Sequence, residues 1–191
     1  MVMASTWVEA DFENVFREHF ERLVRIARRV LHSDAEAEEV CADTFLKLYR
    51  SGQGVLAGGA VGAWLCRVTT RASIDRLRRN RRRGRREEQE ELDADASSAD
   101  DGCHDPLSRL MRDERIADVR SALARLKPVK AQLLLLRHSG LSYQEIAAIM
   151  QIKPASVGTT LARAEAEFSA IYQKQHRLDK RTARLEIAKE G

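Results

Sequence analysis

Between Gly140 and Phe168 the chain reads GLSYQEIAAIMQIKPASVGTTLARAEAEF, and few backbone arrangements suit that order of residues. Ser142 followed three residues on by Glu145 is a capping box, so the spacing predicts a helix starting at Tyr143. Ile146, Ala147 and Met150 share one face of that helix, which is expected to run into Gln151–Lys153. Pro154 suits the first position of a second helix, where its missing N–H loses no partner. Val157, Leu161, Ala164, Phe168 and Ile171 then recur at spacings of four, three, four and three, which is one apolar stripe. Two helices, a tight turn and a buried seam describe a helix-turn-helix, whose second helix can enter a DNA major groove. Taken alone, the pattern also suits an ordinary pair of core helices.

The distribution of charge bears on that choice. From Arg67 to Arg86 there are ten arginines and one acid, Asp75; from Glu87 to Asp105 there are nine acids and no Lys or Arg. A block of net +9 followed by one of net −9 reads as a nucleic-acid-binding face joined to a solvated linker. A nonspecific arginine-rich tail is the plainer account of the basic run. The 191 residues suffice for one medium domain or two small ones. With aromatics at 5%, charged residues at 32% and helical periods nearly throughout, the chain reads as all-α with modest cores.

Cys41, Cys66 and Cys103 are an odd, widely spaced set without a C-x-x-C pair, which argues for a reducing cytosol and against a disulfide framework or a zinc ribbon. Cys103-His104 is half of a metal site with no second half at ligand spacing, so no metal and no cofactor are expected. His19, His32, His104, His138 and His176 are scattered without a nucleophile–base constellation, so catalysis is not expected. No basic-then-apolar leader and no apolar run of about 18 residues are found, and the expected location is the cytoplasm.

Two helical domains are expected. In the first, residues 11–80, a helix over Asp11–Leu31 carries Phe12, Phe16, Phe20, Leu23, Ala27, Val30 and Leu31 on one side. His32-Ser33-Asp34 breaks it, and Ser33 or Asp34 caps a second helix that buries Ala37, Val40, Cys41, Thr44, Phe45 and Leu48. The exposed face of the second helix holds Glu36, Glu38, Glu39 and Asp43, then Lys47 and Arg50, an order that suits the helix dipole. Ser51–Gly59, with four glycines, reads as a loop before a third helix over Ala60–Asn80 on Trp64, Leu65, Val68, Ala72 and Leu77. Residues 81–106 are nearly devoid of apolar side chains and are expected to be a flexible linker that lets the domains move independently. The second domain, 107–172, has a helix on Ile116, Val119, Leu123 and Leu126, another started by Pro128 and closed by Gly140, and then the helix-turn-helix. The charged tail, 173–191, is able to extend the last helix.

In this order the parts resemble the extracytoplasmic-function (ECF) sigma factors, the small two-domain branch of the sigma-70 family. FREHFERLVRIARRVL (Phe16–Leu31) is similar to the opening helix of region 2, and AEEVCADTFLKLYR (Ala37–Arg50) to the helix that grips the polymerase clamp. AWLCRVTTRASIDRLRR (Ala63–Arg79) is similar to the helix that reads and opens the −10 element. Leu123–Ala164 is similar to region 4, which reads the −35 element. The resemblance implies core RNA polymerase (clamp and flap) and promoter DNA, duplex and melted, as partners, with an anti-sigma factor as a further one. It implies polymerase contacts at Glu38, Glu39, Asp43 and Lys47; −10 contacts at Trp64, Arg67, Arg71, Arg76, Arg78 and Arg79; and −35 contacts at Lys153, Ser156, Thr159, Thr160 and Arg163.

Several of these residues have a plainer reading. Trp64 suits core packing at a helix start as well as stacking on a melted base, and exposed acids on the second helix suit a solvated face. The arginines are expected to contact phosphates rather than bases, with Asp75 orienting a neighbouring arginine. The chain departs from the family at Ala42, where a Gln is usual, and at Arg71, where an Asn is common. Its recognition helix carries Gly158, Thr159 and Thr160, then Glu165 and Glu167, in place of the usual basic residues, which implies weak −35 affinity read by small side chains. The acidic linker suits either a phosphate mimic threading a nucleic-acid channel or a neutral tether. A helix-turn-helix regulator acting without polymerase is the alternative reading.

Overall fold

The computed structural model describes residues 9–51, 60–90 and 106–187, with side chains at 11–51, 60–84 and 111–177. The described residues form seven helices: α1 (Glu9–Leu31), α2 (Asp34–Ser51), α3 (Val61–Glu90), α4 (Pro106–Arg125), α5 (Pro128–His138), α6 (Tyr143–Met150) and α7 (Pro154–Ile187). The expected Ser51–Gly59 loop and Cys103-His104 lie largely or wholly outside the described residues.

Helices α1, α2 and α3 pack on one another. The α1–α2 corner is set by His32 in the left-handed region (φ 54°), whose N–H donates to the Arg28 carbonyl at 3.1 Å. Ser33 Oγ accepts from the Glu36 N–H at 3.3 Å, the N-cap bond that its position suggests. All six residues expected inside on α2 are buried there. Phe16 stacks on Phe20 and tilts against Phe45, with centroids 4.6 and 4.8 Å apart, so few aromatics form one cluster over the α1–α2 seam. At Gly62 a Cβ would stand 3.0 Å from His19 Cε1, so glycine admits the close start of α3 against α1.

Helix α3 departs from expectation in two ways. It continues to Glu90, ten residues into the stretch expected to be flexible linker. Arg, Glu and Gln are good helix formers, no proline interrupts them, and propensity sustains the helix where no apolar stripe does. Its buried set is also wider than Trp64, Leu65, Val68, Ala72 and Leu77. Thr69, Thr70, Ser73 and Ile74 are fully buried, while Trp64, Val68 and Ala72 are only half-buried. The buried hydroxyls are satisfied locally: Thr70 and Ser73 donate to the carbonyls of Cys66 and Thr69 at 2.7 and 2.9 Å. Small hydroxyl side chains let a second layer of helices approach, and that layer is the C-terminal unit. Helix α3 packs against α4, α5 and α6 as well as α1 and α2. The buried residues of the two units join in one cluster through these contacts.

The C-terminal unit follows its sequence signals closely. Pro128 opens α5, and Gly140 takes φ 84° just beyond its end. Leu126, Leu133, Leu136, Leu141 and Ile146 are at most 2% exposed, each contributing roughly 1.5–3 kcal/mol by burial. Val119, expected in the core, is exposed. Ser142 Oγ accepts from the Glu145 N–H at 3.2 Å, and the Glu145 carboxylate accepts from the Ser142 N–H at 2.9 Å. The capping box is complete. Helix α6 stops at Met150 rather than running on to Lys153. Gln151 turns left-handed at φ 56°, and the Ile152 N–H closes back on the Ala147 carbonyl at 3.0 Å. Helix α7 starts at Pro154, buries Val157, Leu161 and Ala164, and runs on to Ile187, so the tail does extend it.

Candidate nucleic-acid and partner interfaces

The basic run on α3 does not present a uniform arginine surface. Arg71 and Arg79 are exposed; Arg71 Nε lies 4.0 Å from Asp75 Oδ2, and Arg79 Nε lies 3.5 Å from the Asp75 carbonyl. Arg76 turns inward to α2. Its guanidinium donates to both oxygens of Glu39, at 2.8 and 3.0 Å, and lies 3.6 Å from Glu36. The Glu39 hydrogen bond raises the Arg76 pKa above its ordinary value, and Arg76 holds the Glu39 carboxyl below the usual range. A residue expected to meet DNA and one expected to meet polymerase thus bind each other and clamp α3 to α2. Asn80 Nδ2 completes the clamp on Glu36 at 2.9 Å.

Arg78 also points into protein. Its Nε donates to the Ala124 carbonyl at 3.0 Å and its Nη2 to the Leu126 carbonyl at 2.5 Å, at the C-terminal end of α4. The Arg67 carbonyl accepts from Gln132 Nε2 at 3.4 Å, and Arg67 Nε is buried without a partner among the described residues. Trp64 is half-buried beside the α3 core, an arrangement that suits both packing and an accessible ring edge.

On α2, Glu38, Asp43 and Lys47 are exposed, Glu38 lying 3.8 Å from Arg28. Between them stand Leu46 and Tyr49, 44% and 56% exposed, two large apolar side chains that the sequence reading passed over. Neither falls on the buried stripe; Tyr49 sets its ring edge-on to Phe12 with centroids 5.6 Å apart, and Leu46 stands exposed amid charges.

At the other end, Lys153, Thr159 and Arg163 are exposed and Ser156 and Thr160 half-buried along the first turns of α7. Both threonine hydroxyls donate back to the Ser156 carbonyl, at 3.1 and 2.6 Å, leaving their lone pairs as acceptors. Gly158 faces Tyr143, with a Cβ position 3.6 Å from that ring, and so belongs to the α6–α7 contact. Arg137 lies over the same ring at 5.2 Å. Glu167 is ion-paired with Lys130 on α5, so this acid is part of the fold. Between α4, α5 and α7 an apolar cleft of about 130 Å³ is lined by Val119, Leu123, Leu134, His138, Glu165 and Phe168. No group of three or more potential metal ligands gathers among the described residues, and no described helix is long and apolar enough to cross a membrane.

The first unit coincides with the family described as "Sigma-70 region 2", matched over residues 15–83, and the second with "Sigma-70, region 4", matched over residues 116–168. The chain is an ECF sigma factor of the sigma-70 family, the class that serves transcription initiation. It is similar to the ECF RNA polymerase sigma factor SigE of Mycolicibacterium smegmatis, 33% identical over 80% of this chain and 58% of that protein. The RNA polymerase sigma-H factor of Pseudomonas aeruginosa is 26% identical over 80% of this chain and 81% of its own length. The RNA polymerase sigma factor CarQ of Myxococcus xanthus is 29% identical over 76% and 79%. The chain thus spans little more than half of SigE but most of the other two. In this sigma factor α1–α3 are region 2 and α4–α7 region 4, with the helix-turn-helix inside region 4.

Proposed function

We propose that this sigma factor docks on core RNA polymerase through the outer face of α2 and directs initiation by holding −10 DNA on α3 and −35 DNA at the start of α7. The observation that carries this is the helix-turn-helix with its completed capping box, joined to a helix that bears five arginines between Arg67 and Arg79. Glu38, Asp43 and Lys47 around Leu46 and Tyr49 supply a mixed apolar and charged docking surface suited to the clamp. The cleft beside Phe168 suits an apolar segment of the flap. Arg71 and Arg79 provide phosphate contacts, and Ser156, Thr159 and Thr160 offer hydroxyls to base edges between Lys153 and Arg163. Melting costs a few kcal/mol per unstacked step, and stacking on Trp64 at about 1–3 kcal/mol per base offsets part of it.

The chain's own part is binding rather than catalysis, and an anti-sigma factor is a further partner that the family implies. In vitro transcription with purified core polymerase and a library of host genomic fragments tests the reading. A discrete set of start sites dependent on the chain is expected. Tight duplex binding without any stimulation of core polymerase would instead favour a helix-turn-helix regulator acting alone.

A further inference from the structure

We propose that the cleft between α1 and the turn joining α5 to α6 binds a small phosphate-bearing ligand, at a place separate from the surfaces assigned to DNA and polymerase.

Arg22, Arg25 and Arg29 recur at spacings of three and four on α1 and so share one face of that helix. With Ile26 and Ser139 they line a cleft of about 180 Å³. Ile26, 3% exposed, gives the cleft an apolar wall. Arg22 is held by Glu145, to which it donates at 2.8 Å. Arg25 and Arg29 are exposed and meet no hydrogen-bonding or ion-pairing partner among the described residues. Two like charges one turn apart repel each other, and an anion between them turns that repulsion into attraction.

Ser139 faces them from the C-terminal unit. Its Oγ is buried without a hydrogen-bond partner among the described residues. Buried hydroxyls are nearly always paired, so an orphaned one on the wall of a basic cleft points to a polar ligand. Ser139 follows α5, whose negative end would by itself disfavour an anion. The carbonyls of Leu135, Leu136 and Arg137 accept from the N–H groups of Ser139 and Gly140, however, and Arg137 lies in the last turn. The turn therefore offers a hydroxyl rather than bare carbonyls.

The donor set selects among anions. The two oxygens of a carboxylate fill a single guanidinium fork, whereas a phosphate has oxygens enough for two forks and a hydroxyl. The volume equals that of roughly six waters at about 30 Å³ each, so the phosphate fits inside and any bulky organic part stays outside.

The test titrates inorganic pyrophosphate into the full chain by calorimetry at fixed ionic strength. Saturable binding at one site per chain is expected. Arg25→Gln with Arg29→Gln should weaken it by about tenfold or more, and Ser139→Ala by about threefold. Lys174→Gln with Arg177→Gln removes the same charge from the exposed far end of α7 and should leave binding unchanged. Absence of saturable binding, an unaltered affinity in the Arg25 and Arg29 variant, or an equal loss in the α7 control would each overturn the proposal. Should the arginine variant lose helicity by circular dichroism, Ser139→Ala is judged alone, and an unchanged affinity there overturns the proposal. A short single-stranded oligonucleotide, titrated in parallel, identifies the source of the phosphate. Oligonucleotide binding through Arg25 and Arg29 that pyrophosphate does not displace would make this a nucleic-acid surface and overturn the small-ligand site.

Discussion

Helices α3 and α7 carry the two candidate DNA surfaces, and they hold their polar side chains in opposite ways. On α3 two arginines are committed to protein, Arg76 to Glu39 and Glu36 and Arg78 to the end of α4, while Arg71 and Arg79 are exposed. On α7 the candidate readers are short, open to solvent or half-buried, and satisfied within their own helix turn. Long guanidinium side chains reach across a groove to any acceptor, so a basic helix lying between two apolar layers turns part of its charge inward. Short hydroxyls have no such reach, and the recognition helix keeps its outward face whatever packs behind it. The helix richest in charge is thus the more hidden of the two.

Substitutions can break this comparison or refine it, the strongest first. Leu65→Ala empties a fully buried site on α3 and should cost about 2–5 kcal/mol in chemical denaturation. A loss below about 1 kcal/mol would mean that α3 is not enclosed as described. Next comes Arg71→Glu with Arg79→Glu, the two exposed arginines of α3 exchanged for two repulsions. Open-complex formation should fall by roughly 2–4 kcal/mol and the salt slope of DNA binding by about two, with affinity for core polymerase intact. An unchanged salt slope would remove both arginines from the DNA surface.

Smaller effects belong to the C-terminal unit. Ser142→Ala deletes the N-cap of α6 and should lower stability by about 1 kcal/mol, seen as a shifted denaturation midpoint. Thr159→Ala should cost at most about 1 kcal/mol, and only on particular −35 sequences, because its hydroxyl serves no buried partner. Equal loss on all promoters would show that α7 does not read bases through this residue. The smallest expected effect is in acid. The Ser142 N–H, then Arg22 and the Ser142 hydroxyl, hold the Glu145 carboxyl down to about 2, below its unfolded range. Its stabilising contribution is therefore full above that range and is lost as pH falls toward 2. Both partners are more than a third exposed, so solvent screening reduces the size of the effect. Glu145→Gln should flatten the acid limb of the stability profile, and an unaltered limb would detach Glu145 from it.

Much of the fold was legible because its signals are local. A capping box, a proline at the first helical position and a glycine after α5 each act within one turn of backbone, and all three stand where the spacing places them. The buried face of α2 followed from helical period alone. The end of α6 is not legible in the sequence, because a left-handed Gln151 is permitted but not announced by its side chain. The length of α3 is hard to read from sequence because a charged run without an apolar stripe resembles a linker, whereas helix propensity favours the same residues.

The sequence by itself determined the helical class, the helix-turn-helix, the family and the segregation of charge, since each depends on neighbours a few residues apart. Only the tertiary structure decided which arginines are free. A basic stripe on an isolated helix is symmetric with respect to DNA and protein acceptors. What breaks the symmetry is the approach of α2 on one side and α4, α5 and α6 on the other, which brings Glu39 and the Ala124 and Leu126 carbonyls within hydrogen-bond distance. Those acceptors lie 37 to 48 residues away along the chain, beyond any local pattern. Their strength once met, charge-assisted and partly shielded from water, commits Arg76 and Arg78 to the protein itself.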